Sequence, residues 1–100
     1  TLPRYNPSNT KELIGRVANA TPAQVEQAVR VAKEAQPAWA ALGWEKRAEL
    51  LRAAAEQMRM HRAELCAWQI LECGKPWREA DGDVAEAIDF CEYYASGALR

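Results

Sequence analysis

The chain has 100 residues, enough for one domain or a piece of one. Hydrophobic residues make up 49% of it, much of that alanine, and 27% charged residues leave a net charge of −1, which argues against a nucleic-acid or anionic-membrane partner held by bulk charge. No run is long and apolar enough to span a bilayer, and TLPRYNPSNT lacks the basic and apolar regions of a signal peptide, so cytoplasm is the expected compartment.

Asn6-Pro7-Ser8-Asn9-Thr10 is turn chemistry, and Leu13-Ile14-Gly15-Arg16-Val17 reads as a short strand whose partner is expected outside these residues. Thr21-Pro22-Ala23-Gln24 is a helix start: Thr21 caps, Pro22 takes the first helical position and Gln24 completes a capping box. Val25, Ala28, Val29, Ala32 and Ala35 follow at helical spacing, and Pro37 is expected to close the helix. Trp39 and Trp44 flank Gly43 in a connecting segment.

A second helix is expected from about Glu45 to His61, with Trp44, Ala48, Leu51, Ala55 and Met58 as its stripe. Glu49, Arg52, Glu56 and Arg59 fall on its solvent side as alternating charges. A third helix, about Arg62 to Glu72, is apolar nearly all round, which predicts burial on several sides. Gly74 stops it and Pro76 starts a fourth. The fourth carries Trp77, Ala80, Val84, Ala87, Ile88, Cys91 and Ala95 on its stripe, with Glu79, Asp83, Glu86, Phe90 and Tyr93 as an adjacent ridge. The pattern is a short N-terminal β element followed by helices. It fits either a fragment of something larger or a self-contained helical bundle.

Few residues carry recognisable chemistry. There is no glycine-rich phosphate loop and no Ser/His/Asp set. Cys66, Cys73 and Cys91 form no CxxC and, with the single His61, no zinc pattern; they read as reduced thiols, most simply as small buried hydrophobes. Cys73 sits at the C-terminal end of its helix, the wrong end for lowering a thiol pKa. His61, at another helix end, suits a dipole partner better than a base. Glu86 lies mid-helix, three residues from both Asp83 and Asp89, a repulsive spacing. It is either part of a solvated acidic face or a carboxylate awaiting a cationic group. Glu72 opposes its own helix dipole, and Lys75, a bound cation or solvent would each relieve it.

Asn6-Pro7, the Thr21-Pro22 helix, the Trp39/Arg47/Leu51 region and Glu72-x-Gly74-Lys75-Pro76, in that order, resemble the N-terminal part of the NAD(P)-dependent aldehyde dehydrogenases. The runs Gly74-Lys75-Pro76-Trp77-Arg78-Glu79-Ala80-Asp81, Ala85-Glu86-Ala87-Ile88-Asp89-Phe90 and Glu92-Tyr93-Tyr94-Ala95 are similar to the branch that oxidises L-glutamate γ-semialdehyde in proline breakdown.

The resemblance implies an α/β fold in the whole protein, with residues 1–100 as the N-terminal segment of its cofactor-binding domain. It further implies NAD as cofactor, an amino-acid aldehyde as substrate, a homo-oligomer, and a catalytic cysteine, glutamate and cofactor turn elsewhere in the polypeptide. Residues 1–100 alone should then be inactive. By the same resemblance, Glu86 falls where a carboxylate would meet the substrate's α-ammonium group. Glu72, with the backbone carbonyls of Arg4 and Tyr5, falls where some members hold a structural monovalent cation. The alternatives are the same module within a bifunctional proline-oxidising protein, or a free-standing helical interaction module without catalysis.

Overall fold

The computed structural model describes residues 1–98. The elements are β1 (Leu2–Asn6), β2 (Asn9–Val17), α1 (Pro22–Ala41), α2 (Gly43–Met60), α3 (Arg62–Cys73) and α4 (Trp77–Gly97).

The expected strand does have its partner within the chain. β1 and β2 form an antiparallel hairpin pairing Leu2 with Val17 and Arg4 with Gly15, with irregular register beyond Arg4. Pro3 and the lack of alternation in Leu2–Asn6 hide β1 in the sequence; an outer strand tolerates a residue without a donor. The turn is as anticipated: the Ser8 N–H donates to the Asn6 side-chain oxygen at 2.9 Å, and the Asn6 amide donates to Glu12 at 2.8 Å.

The capping box at Thr21 is complete, with Gln24 N–H donating to Thr21 Oγ1 and Thr21 N–H to Gln24 Oε1. Pro37 does not end α1, which continues to Ala41 and so takes in Trp39. Proline's fixed φ is compatible with a helix, and the carbonyl it leaves without a donor faces water, because α1 buries none of its side chains. The break comes at Gly43, whose φ of +79° suits glycine; Trp44 then lies in the first turn of α2.

The core is small and alanine-rich. Ala55 of α2, Cys66 of α3, and Ala80, Val84 and Ile88 of α4 form its centre, with Met58, Ile70 and Cys91 against it. Ala48 and Ala95 are also buried, so α2 and α4 meet through side chains that let the helices approach closely. Cys66 alone fits the buried-thiol reading in full; Cys91 is half-buried and Cys73 is exposed. Trp77 leaves the expected stripe and is 57% exposed at the start of α4. α3 is covered on one side only, leaving Leu65 and Trp68 at the surface.

Candidate functional site

The α3–α4 junction sets the position of α4. Gly74 ends α3 at φ +69°, with its N–H donating to the Ile70 carbonyl at 2.9 Å. A Cβ here would stand 2.9 Å from Pro7 Cγ, so both the left-handed backbone and the packed hairpin turn call for glycine. Pro76 opens α4 in extended backbone, and its carbonyl accepts from Glu79 and Ala80 N–H.

The acidic side chains of α4 then divide by helical phase. Asp81 turns toward α3 and accepts two hydrogen bonds from Arg62, at 2.7 and 2.9 Å, with the Cys66 thiol 4.0 Å away. Asp83 is paired with Lys75. Glu92 reaches α2, accepting from Arg59 Nη2 at 2.8 Å while its second oxygen lies 3.9 Å from Arg52 Nε. These pairings raise the Arg62, Lys75 and Arg59 pKa values, mainly through hydrogen bonds to Asp81, Asp83 and Glu92 respectively. Arg62 holds the Asp81 carboxyl below its ordinary value.

Glu79, Glu86 and Asp89 make no ion pair among the described residues. Glu86 and Asp89 project away from the core, together with Phe90 and Tyr93, around an open hollow of about 300 Å³. The Phe90 ring stacks on Tyr94 at 5.9 Å and Tyr93 meets Tyr94 edge-on at 5.4 Å. Carboxylates beside aromatic faces are suited to a cationic amine, which takes charged hydrogen bonds and ring contacts together.

Glu72 shares a cleft of about 170 Å³, between the hairpin and α3, with Arg4, Ile14, Arg16, Val17 and Trp68. The expected set is thus brought together in part: Glu72 and Arg4 line this cleft and Tyr5 does not. Lys75 does not relieve Glu72, being engaged with Asp83. Among the described residues no cluster of three His, Cys, Asp or Glu side chains could hold a metal.

A hollow of about 660 Å³ lies at the α2–α3 corner among Met58, His61, Leu65 and Trp68 and is mainly apolar. His61 ends α2 as expected, and its Nδ1 lies 3.3 Å from Glu64. The three cation–carboxylate ties of α4 escaped sequence reading. Glu56 does pair with Arg59, but Arg52 reaches α4 and Glu49 pairs with Lys46. A spacing of 19 between Arg62 and Asp81, or 33 between Arg59 and Glu92, carries no local signal.

The sequence pattern of the aldehyde dehydrogenase family matches residues 1–100. The chain belongs to that family. It is 48% identical over 95 residues to "1-pyrroline-5-carboxylate dehydrogenase" of Geobacillus thermodenitrificans, covering 95% of this chain and 18% of that protein. It is 45% identical over 100 residues to the protein of the same name from Staphylococcus haemolyticus, covering all of this chain and 20% of that one. A third relative, "1-pyrroline-5-carboxylate dehydrogenase 2" of Bacillus subtilis, is 46% identical over 90 residues, covering 90% of this chain and 18% of that protein. The chain therefore spans about a fifth of the length of these relatives, and its mostly helical architecture is part of a larger fold.

Proposed function

We propose that the full-length protein is an NAD-dependent aldehyde dehydrogenase that oxidises L-glutamate γ-semialdehyde to L-glutamate in proline breakdown, acting in the cytoplasm as a homo-oligomer. The similarity to relatives that bear the name 1-pyrroline-5-carboxylate dehydrogenase supports the reaction class. The observation that carries the substrate reading is Glu86, without an ion pair among the described residues and framed by Phe90 and Tyr93. In this reading its carboxylate receives the α-ammonium group of the substrate, and the rings flank the aliphatic chain. The three thiols suit structural roles better than nucleophilic ones: Cys66 is buried beside the Asp81 carboxylate, and Cys73 ends a helix. Thiolate attack, hydride acceptance by NAD and thioester hydrolysis then belong to other parts of the polypeptide.

The test is Glu86→Gln in the full-length protein. With the amino-acid aldehyde, kcat/KM should fall about ten- to a hundredfold, mostly through KM, the scale on which a hydrogen bond to a charged group contributes. With an aliphatic aldehyde of similar length and no amine, it should stay within about twofold. Equal losses on both substrates would refute the ammonium reading.

Glu72 is the proposed carboxylate of a structural monovalent-cation seat, completed by the backbone carbonyls of Arg4 and Tyr5. The oxygen donor set suits a hard cation, and the meeting of Glu72 and Arg4 in one cleft supports the seat; Tyr5 does not line the cleft. Sodium or potassium should raise the melting temperature of the full-length protein relative to tetramethylammonium, and Glu72→Gln should abolish the difference. An equal difference in the variant would remove Glu72 from the seat.

A further inference from the structure

Glu86 has no ion pair among the described residues, while Glu92 on the flank next to it is tied to α2. Glu92 lies six residues on, roughly 9 Å along the axis and about 120° around it. Its two carboxylate oxygens reach different arginines of α2, Arg59 at 2.8 Å and Arg52 at 3.9 Å. Those arginines are seven residues apart, about two turns on one face of α2. Arg59 is itself steadied by Glu56 at 3.0 Å. The interface beneath is rich in alanine, Ala48 and Ala55 on α2 and Ala80 and Ala95 on α4, with Val84 and Ile88 as its larger side chains. At the alanine positions there is little interlocking to resist rotation or sliding of one helix on the other. A carboxylate held at two points two turns apart resists both.

We propose that Glu92 is a positioning residue. By bridging Arg52 and Arg59 it fixes the rotation of α4 on α2, and so aims Glu86 at the amine of the substrate. The effect on substrate rests on the ammonium reading of Glu86. The clamp itself does not. It also fits the placement of the other two ties: Arg62–Asp81 and Lys75–Asp83 hold the second turn of α4, and Glu92 holds the fifth. Glu86 lies between them.

Two measurements on the full-length protein separate the clamp from its consequence. Hydrogen exchange tests the clamp: Glu92→Ala should speed amide exchange over residues 84–95 with the melting transition still cooperative, and unchanged exchange would overturn the proposal. Steady-state kinetics test the consequence. Glu92→Ala should raise KM for L-glutamate γ-semialdehyde about three- to tenfold, in the lower part of the range for sites coupled through a backbone shift, with kcat within about twofold. Values for an aliphatic aldehyde without an amine should not move.

On a Glu86→Gln background the same substitution should add nothing. Equal KM increases on both aldehydes, or full additivity with Glu86→Gln, would overturn the positioning role. If Glu86→Gln alone affects both aldehydes equally, the ammonium reading falls and takes the effect of Glu92 on substrate with it. If Glu86→Gln is selective while Glu92→Ala leaves exchange unchanged, only the clamp falls.

Discussion

Asp81 shows how one carboxylate acquires a structural role that its neighbours lack. Arg62 grips it with two hydrogen bonds, which favours the ionised form in the folded chain and lowers its pKa from 3.8; partial burial opposes this without overcoming it. A lowered folded pKa means that the tie contributes fully above the unfolded value of 3.8 and is lost as pH falls through the lower folded value. Asp81→Asn should therefore lower the urea midpoint of the full-length protein at neutral pH, and the gap to the unmodified protein should narrow below 3.8. A gap of constant size down to the most acidic condition tested would show that the charge is not its source. Glu86 has no such tie among the described residues, and nothing in the residue types distinguishes the two. The acidic side chains of α4 were visible in the sequence; which of them were already engaged was not, because Asp81 and Glu92 find their partners on other helices and Asp83 finds Lys75 in the preceding turn.

Among the elements, local chemistry was legible where the deciding contacts are local. The Thr21 capping box, the Gly74 stop and the Pro76 start all appear as expected, because each depends on residues within a turn of one another. β1 was missed and Pro37 misread for the opposite reason. A strand with a proline and no alternation is defined by the strand beside it. A proline in a helix ends it only where the missing hydrogen bond is costly, and on the exposed α1 solvent satisfies the freed carbonyl. The α4 stripe was right from Ala80 to Ala95 and wrong at Trp77, the first residue of the helix, which stays exposed.

At the level of the molecule, the described structure is thin and spread out. It measures 49 × 37 × 16 Å with a radius of gyration of 17.5 Å, against roughly 13 Å for a compact domain of this length. α1 buries none of its side chains, and Val25, Val29, Leu65, Trp68 and Phe90 remain at the surface. These features favour the fragment over the self-contained bundle, in accord with a chain that covers 18–20% of its relatives. Produced alone, residues 1–100 should melt over a broad range, bind an environment-sensitive apolar dye, and reduce no NAD in the presence of aldehyde. A sharp melt without dye binding would restore the self-contained module.

The sequence by itself determined the existence of the helices, the Thr21 cap, the Gly74 stop and the Pro76 start, the family and the position of Glu86 on α4. Each follows from short-range periodicity, from turn chemistry or from an ordered set of motifs. Tertiary structure decided the pairing of the hairpin, the division of the acidic ridge into tied and untied members, and the hold of α2 on α4 through Glu92. Those outcomes depend on side chains far apart in sequence being brought within hydrogen-bond reach, which only the packing of the helices against one another brings about.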